Sequence, residues 1–448
     1  MGFEHLLSPI KVGPLTLKNR MALAPMNTCM SGLHGEVTEQ LLAYYGARAK
    51  GGAGLIITEV ILGTRLAAQF PVTRDLALFH PGHAHGLSLL VDRIHYFGAD
   101  ACAQMSIGLG RQSTPLDPDL EPPAATGGLP YEIVYEKMPD AIAAAWRSSE
   151  FARTLGVGRM TREMSLPEIR REQKEFAFSC QLAVAAGFDA IEIHATHGFL
   201  LHQFLSPFTN RRSDLYGGEW RNRKRFLNEV CEQVRYACPG VALGVRFSAE
   251  EHFEGGLTRA EMMDVAKDLE ARGADYLHLS DGGGFEESGH QIPDADRAAH
   301  IPEHGADFKK TVSIPVMVAS QHDPLTADQD IAAGKFDLSA LGRQLLCDPE
   351  YPKKLMEGRA DQIVKCVRCN ICLMKGLAGN TAACPLNPLL GREYGLDEYR
   401  IGPYQAHESI IPKSWLVAPM PALDRPWWKP ELDVPEKYWR PFRGPGPR

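Results

Sequence analysis

The chain has 448 residues, 44% of them hydrophobic and 23% charged, with a net charge of −7, which suits a globular protein able to bury a large core. The charge is spread without a basic block, so neither nucleic acid nor an anionic membrane is an expected partner. No run approaches the roughly 20 apolar residues of a membrane span, and the opening MGFEHLLSPIKVG has no basic segment before an apolar core, so a cytoplasmic protein without a secretion signal is expected.

Short apolar, β-rich runs then alternate with longer amphipathic stretches, the pattern of repeated β–α units around a parallel sheet. A strand over 20–24 leads to a helix over 39–50, and a strand over 54–58 to a helix over 83–97. The third strand, 101–105, is followed by a Pro-, Gly- and Ala-rich segment, 111–164. A loop of that length after a barrel strand reads as an active-site lid ahead of a plain insertion. A helix over 167–186 opens at SLPE (Ser165 to Glu168), which has capping-box spacing. Strand 190–194, helix 221–237, strand 242–246, helix 259–272, strand 276–279, strand 315–319, helix 325–333 and strand 338–341 follow. AAGFD, ARGAD and AAGKFD each put Gly just past a helix, where a left-handed residue ends it. Eight strands favour an α/β fold of the (β/α)8 TIM barrel type over residues 1–360. Beyond it lie a cysteine segment, 361–390, and an extended tail, 391–448, containing PWWKP and PFRGPGPR.

Barrel enzymes work at the C-terminal ends of their strands, and there this sequence places polar groups. Pro25, Met26, Asn27 and Thr28 follow the first strand, Glu59 the second, and Gln104 lies in the third. His194 ends the fourth, with His197 three residues on. Arg246 ends the fifth, Ser280 to Gly284 follow the sixth, Ser320 the seventh, and Gly342 and Arg343 the eighth. Six of the ten cysteines are scattered. The other four form Cys366-x2-Cys369-x2-Cys372-x11-Cys384-Pro385. A triple at such short spacing with a later single favours a [4Fe–4S] cluster over zinc, which usually takes two CxxC pairs or a histidine.

NRMALAPMNT, QMSIGLGR, HATHGFLLHQFLSPFTNRRSDLYGG, VRFS and LSALGRQLLCDPE together resemble the old yellow enzyme superfamily. The cysteine segment resembles its iron–sulfur branch, which includes 2,4-dienoyl-CoA reductases, enoate reductases and trimethylamine dehydrogenase. The resemblance implies FMN at the barrel mouth, with Pro25, Met26, Asn27 and Thr28 along the isoalloxazine and Gln104 on its pyrimidine edge. It implies Arg246 near N1 and O2, and the backbone around Ser320 with Gly342 and Arg343 at the phosphate. It also implies that His194 and His197 hold the carbonyl or carboxylate of a small unsaturated carbonyl or acyl substrate, whose activated C=C bond is reduced by hydride from flavin N5.

Two departures stand out. Phe199 occupies the position where ene-reductases of this family carry the proton-donating Tyr, and Glu286 falls where dienoyl-CoA reductases have a histidine. A cluster carries one electron at a time, so it implies a second redox centre. No strand–GxGxxG–helix unit is present to hold one. A separate electron-transfer flavoprotein or reductase subunit, or NAD(P)H acting directly at the barrel, is the expected donor to a homo-oligomer. The alternative reading is an amine dehydrogenase of the trimethylamine dehydrogenase type, exporting electrons through the cluster.

Overall fold

The computed structural model describes residues 2–71, 73–117, 119–133, 136, 140, 143–144, 158–283, 301–319, 323–377 and 379–396. Eight parallel strands close into a barrel: β1 (Met21–Leu23), β2 (Leu55–Ile57), β3 (Asp100–Ser106), β4 (Ala190–Ala195), β5 (Ala242–Ser248), β6 (Tyr276–Ser280), β7 (Val316–Ala319) and β8 (Leu338–Leu341). Each pairs with its neighbour in sequence, and β8 pairs back onto β1. Every strand is buried on both faces apart from the half-buried Asp100, because helices cover the outside and side chains fill the inside. Among the described residues seven of the connections carry helices, six of them near the predicted positions: α1 (Glu39–Lys50), α2 (Pro81–Tyr96), α3 (Leu166–Ala185), α4 (Arg225–Ala237), α5 (Arg259–Ala271), α6 (Ile301–Lys309) and α7 (Pro324–Ala332). Of these, α6 lay outside the sequence expectation. Gly187, Gly273 and Gly334 follow α3, α5 and α7 with φ of 101°, 88° and 71°, the helix-ending conformation that glycine adopts without a Cβ clash.

An antiparallel hairpin, Ile10–Val12 with Leu15–Leu17, plugs the N-terminal end of the barrel. Its Val12 and Leu17 join an interior cluster with Ala22, Leu55, Ala190, Met317 and Leu338. That end is therefore a packed floor, and chemistry is left to the opposite rim. The capping box expected at Ser165 forms only in half. The Ser165 hydroxyl accepts from Glu168 N at 3.4 Å, but the Glu168 carboxylate turns to Arg162, which donates to both its oxygens at 2.7 Å. A two-pronged charged bond outcompetes a single neutral one. The reciprocal box forms instead at Thr258 and Glu261, ahead of α5.

Within the predicted lid, the described residues include a short parallel pairing of Pro123–Ala124 with Arg162–Glu163. Gln112 there donates to the carbonyl of His197 at 2.6 Å. The residues after β8 form α8 (Arg343–Cys347), a helix over Tyr351–Met356, and, in the cysteine segment, α9 (Ile371–Leu377). This C-terminal stretch returns to the first β–α unit. Ala382 N donates to Thr28 O at 2.9 Å, Gln40 to Gly391 O, and Arg48 to Glu393 at 2.6 Å. Arg48 is fully buried and also lies 4.0 Å over the Tyr44 ring. The tail from 397 onward lies outside the described residues. Among those described, no helix is long and apolar enough to cross a membrane.

Candidate active site

The barrel interior is ordinarily apolar, yet one layer here is ionic. Glu192 on β4 is fully buried. It accepts from Gln104 Nε2 of β3 at 2.7 Å, pairs with His278 Nδ1 of β6 at 2.9 Å and accepts from Tyr276 OH at 3.1 Å. Burial alone would push its carboxyl up, but His278, Arg246 and Gln104 together hold it below the ordinary range. Arg246 on β5 stands in register with His194 of β4 on one side and His278 of β6 on the other. Gly244 makes the layer possible, since a Cβ there would meet the Tyr276 ring at 2.0 Å. Alternate positions of a strand share a face, so Glu192 carries His194 one step nearer the rim, as His278 carries Ser280.

Above this layer a cavity of about 250 Å³ opens at the C-terminal rim. It is lined by Pro25, Met26, Asn27, Gln104, His194, His197, Phe199, Arg246, Ser280, Asp281, Gly342 and Arg343, among others. His197 and Gly198 are both left-handed, with φ of 59° and 72°. The chain therefore turns sharply after β4 and brings His197 Nε2 to 2.7 Å from Ser280 Oγ. Only glycine fits at 198, because a Cβ would meet the Gly283 carbonyl at 2.0 Å. Arg246 Nη2 donates to the same Ser280 oxygen at 3.3 Å. The Ser280 oxygen has room for both bonds, and when its own proton goes to His197 Nε2 the ring proton lies on Nδ1. Phe199 stacks on His194 with centroids 4.9 Å apart, a rigid shelf in place of an acid. Burial, reinforced by Arg246, holds His194 and His197 well below the ordinary histidine value, so both are neutral near pH 7.

Two buried nitrogens around this cavity have no partner among the described residues: His194 Nδ1 and Arg246 Nε. A buried donor left unmatched costs about 1–3 kcal/mol, and a polar, planar, electron-rich guest would satisfy both. The residues thus fit a flavin ring. At the far wall a Cβ on Gly342 would meet Met26 Sδ at 2.7 Å, so Met26 packs closely against the backbone there.

The predicted residues do not all reach the cavity. Thr28 is fully buried behind its wall, where its N and Oγ1 donate to Glu59 Oε2 at 2.9 and 2.5 Å. Asn27 lines the cavity and donates to Asp75 at 2.8 Å. Ser320 and Glu286 lie outside the described residues.

The cysteine segment supplies part of the wall, since Asn370, Cys372, Leu373 and Gly376 line the same cavity. Arg343 donates to Asn370 Oδ1 at 2.6 Å and feels the thiols of Cys366, Cys372 and Cys369. Burial pushes the Cys372 thiol up to about 11, with Cys366 and Cys384 adding to the rise. Left-handed Arg368 and Asn370 coil the chain between the first three cysteines. The donor chemistry suits a cluster, although among the described residues no three metal-ligand side chains converge on one point.

Sequence reasoning did not single out Glu192, Tyr276, His278 or Asn370, and it named Asp281 only within the run Ser280 to Gly284. The available signal was polar residues at every second position in AIEIHA and YLHLS, inside runs that otherwise read as continuous apolar strands.

The profile of the NADH:flavin oxidoreductase / NADH oxidase family matches residues 5–362. An NADH oxidase of Thermoanaerobacter brockii is 34% identical over 423 residues, covering 91% of this chain and 60% of that protein. A cinnamate reductase of Clostridium sporogenes is 32% identical over 424 residues, covering 88% and 59%. The solved complex of a 2-naphthoyl-CoA reductase superposes with a TM-score of 0.75 at 27% identity, over 88% of this chain and 58% of that one. The chain thus spans about six-tenths of the length of these relatives.

Proposed function

The chain belongs to the NADH:flavin oxidoreductase / NADH oxidase family, and from that premise we propose that it is an FMN- and [4Fe–4S]-dependent reductase of activated C=C bonds. The observation that carries this reading is the convergence of neutral His194, neutral His197 and buried Arg246 on one cavity, with unmatched nitrogens left on His194 and Arg246. The proposed substrate is a small enoate, enone or enoyl thioester, in keeping with relatives named cinnamate reductase and 2-naphthoyl-CoA reductase.

FMN, when bound, supplies the hydride and is recharged by electrons from the cluster or from NAD(P)H. Gln104, Arg246, Pro25, Met26 and Asn27 would hold its ring, and Gly342 and Arg343, with Ser320, its phosphate. His197, with Nε2 fixed by Ser280, presents Nδ1–H as a donor. Together with His194 it would grip the substrate oxygen and stabilise the negative charge that collects there as the β-carbon gains hydride. Neutral rings suit this task, since they donate without burying a further cation beside Arg246. Cys366, Cys369, Cys372 and Cys384 would bind the cluster. Its electron source is proposed to be a reductase or carrier flavoprotein, or NAD(P)H at the barrel mouth.

Protein purified under nitrogen should contain flavin, iron and labile sulfide, and iron should fall in a Cys369→Ser variant. After photoreduction it should be reoxidised by members of a panel of enones and cinnamate-type acids. A panel that leaves the flavin reduced, together with an amine that reduces the oxidised flavin, would replace this reading with the amine dehydrogenase one.

A further inference from the structure

Adding hydrogen across C=C needs a proton at the α-carbon as well as a hydride at the β-carbon, and Phe199 has none to give. Two carboxylates among the described residues line the cavity: Asp75, whose oxygens accept from Asn27 and Thr73, and Asp281, which directly follows Ser280 and whose side chain is 9% exposed. Its Oδ1 lies 2.5 Å from His252 Nε2. His252 is 25% exposed, so the pair spans the distance from cavity to solvent. The other ring nitrogen, Nδ1, faces Glu250 Oε1 at 3.4 Å. An imidazole with a carboxylate at each nitrogen can donate to both only when protonated.

The shell behind is built to hold this pair. Arg259 of α5 donates to Glu250 at 2.7 Å, to Asp307 of α6 at 3.0 Å and to His304 Nε2 at 2.9 Å. His304 sits 3.3 Å from Glu250, and its ring stacks on His252 with centroids 6.0 Å apart. His252 is itself left-handed, with φ of 60°, a backbone state that costs free energy and is retained where the surroundings impose it.

The geometry points to Asp281 and His252 as the proton relay of the reductive reaction, an inference that rests on the reading of the site as a C=C reductase. The dyad holds one proton, shared between His252 Nε2 and Asp281 Oδ1. In the step, the Asp281 O–H bond breaks and a C–H bond forms at the substrate α-carbon, while the electron pair stays on the carboxylate. Solvent then returns one proton to the dyad through His252, which restores the shared Nε2–Oδ1 bond. The reduced flavin supplies the hydride, so the sum is one hydride and one proton added across the double bond. His252, Glu250, Arg259, His304 and Asp307 position and recharge the acid. Of this group only Asp281 lines the cavity.

The test mixes photoreduced holoenzyme with an enone or a cinnamate-type acid in H2O and in D2O, over a range of pH. Asp281→Asn and His252→Gln are each expected to slow reoxidation by roughly a hundredfold, the scale of a lost general acid. The double variant should fall little further, because the two act as one unit. The native solvent isotope effect and the pH dependence set by His252, Asp281, Glu250, Arg259, His304 and Asp307 should change in both variants. Asp281→Glu, which keeps a carboxyl, should recover part of the rate and of the isotope effect. Rates within about twofold of native in either single variant would overturn the relay, as would a larger loss in Glu286→Gln than in Asp281→Asn. A variant that binds no flavin is judged by Asp281→Glu, whose failure to restore the isotope effect also counts against the relay. Native holoenzyme that no such acceptor reoxidises would instead remove the functional reading itself.

Discussion

Glu59 offers the sharpest quantitative test of how the rim is held together. Its side chain is 1% exposed. Oε2 accepts both bonds from Thr28, and Oε1 has no partner. Burial pushes the carboxyl up from 4.5 to about 8, further than the Thr28 bonds pull it back, and Asp75 adds to the rise. A carboxyl whose folded value exceeds its unfolded one makes the fold progressively less stable as pH climbs from about 4.5 to about 8. Each pH unit costs about 1.4 kcal/mol, hence about 5 kcal/mol over that window. Glu59→Gln removes this slope but leaves an amide N–H2 unmatched where Oε1 sits, at about 1–3 kcal/mol. The variant should therefore be less stable than native at about pH 5 and more stable at about pH 8. Urea unfolding of both proteins at several pH values measures the difference, and shared groups cancel. A difference that stays flat across the window would show that Glu59 is ionised in the fold and refute the argument.

His194 and His197 work in the opposite direction. Both are held well below 6.5, so they leave stability unchanged above that pH. Below it they cost up to about 1.4 kcal/mol each per pH unit, because only the unfolded chain takes up the protons. Urea midpoints of a His194→Asn/His197→Asn protein should fall less steeply on acidification than those of native protein, and parallel curves would contradict this. Glu192→Gln leaves Arg246 buried without a counter-charge and should cost about 3–5 kcal/mol of unfolding free energy. Adding Arg246→Met should recover most of that loss, whereas additive losses would mean that the two charges are not coupled.

The barrel was legible because its signals are local and repeated. Eight apolar runs, Gly187, Gly273 and Gly334 after helices, and the helix over Glu39–Lys50 were all readable before any tertiary contact was considered. The half-formed box at Ser165 was not, because the competitor for Glu168 is Arg162, on the other side of the cap. Likewise α6 follows residues that carry no strong periodic pattern of their own. At the site, the rim residues followed from strand ends plus resemblance. The ionic layer below them did not, since Glu192 and His278 are single polar residues in apolar strands and meet only when the sheet closes. The direction of Thr28 was also hidden. A strand-end threonine can face the cavity or the wall, and the choice depends on Glu59, 31 residues on.

The return of residues 370–393 to the first β–α unit bears on how the protein is made. Emerging from the ribosome, the loop after β1 has no roof until the chain has been synthesised past Gly376 and Ala382, its partners at Cys29 and Thr28. A nascent barrel therefore has a mouth open on one side. Firm capture of a guest should wait until residue 382 has been made, and a chain stopped before residue 370 should lose its guest before it loses its barrel.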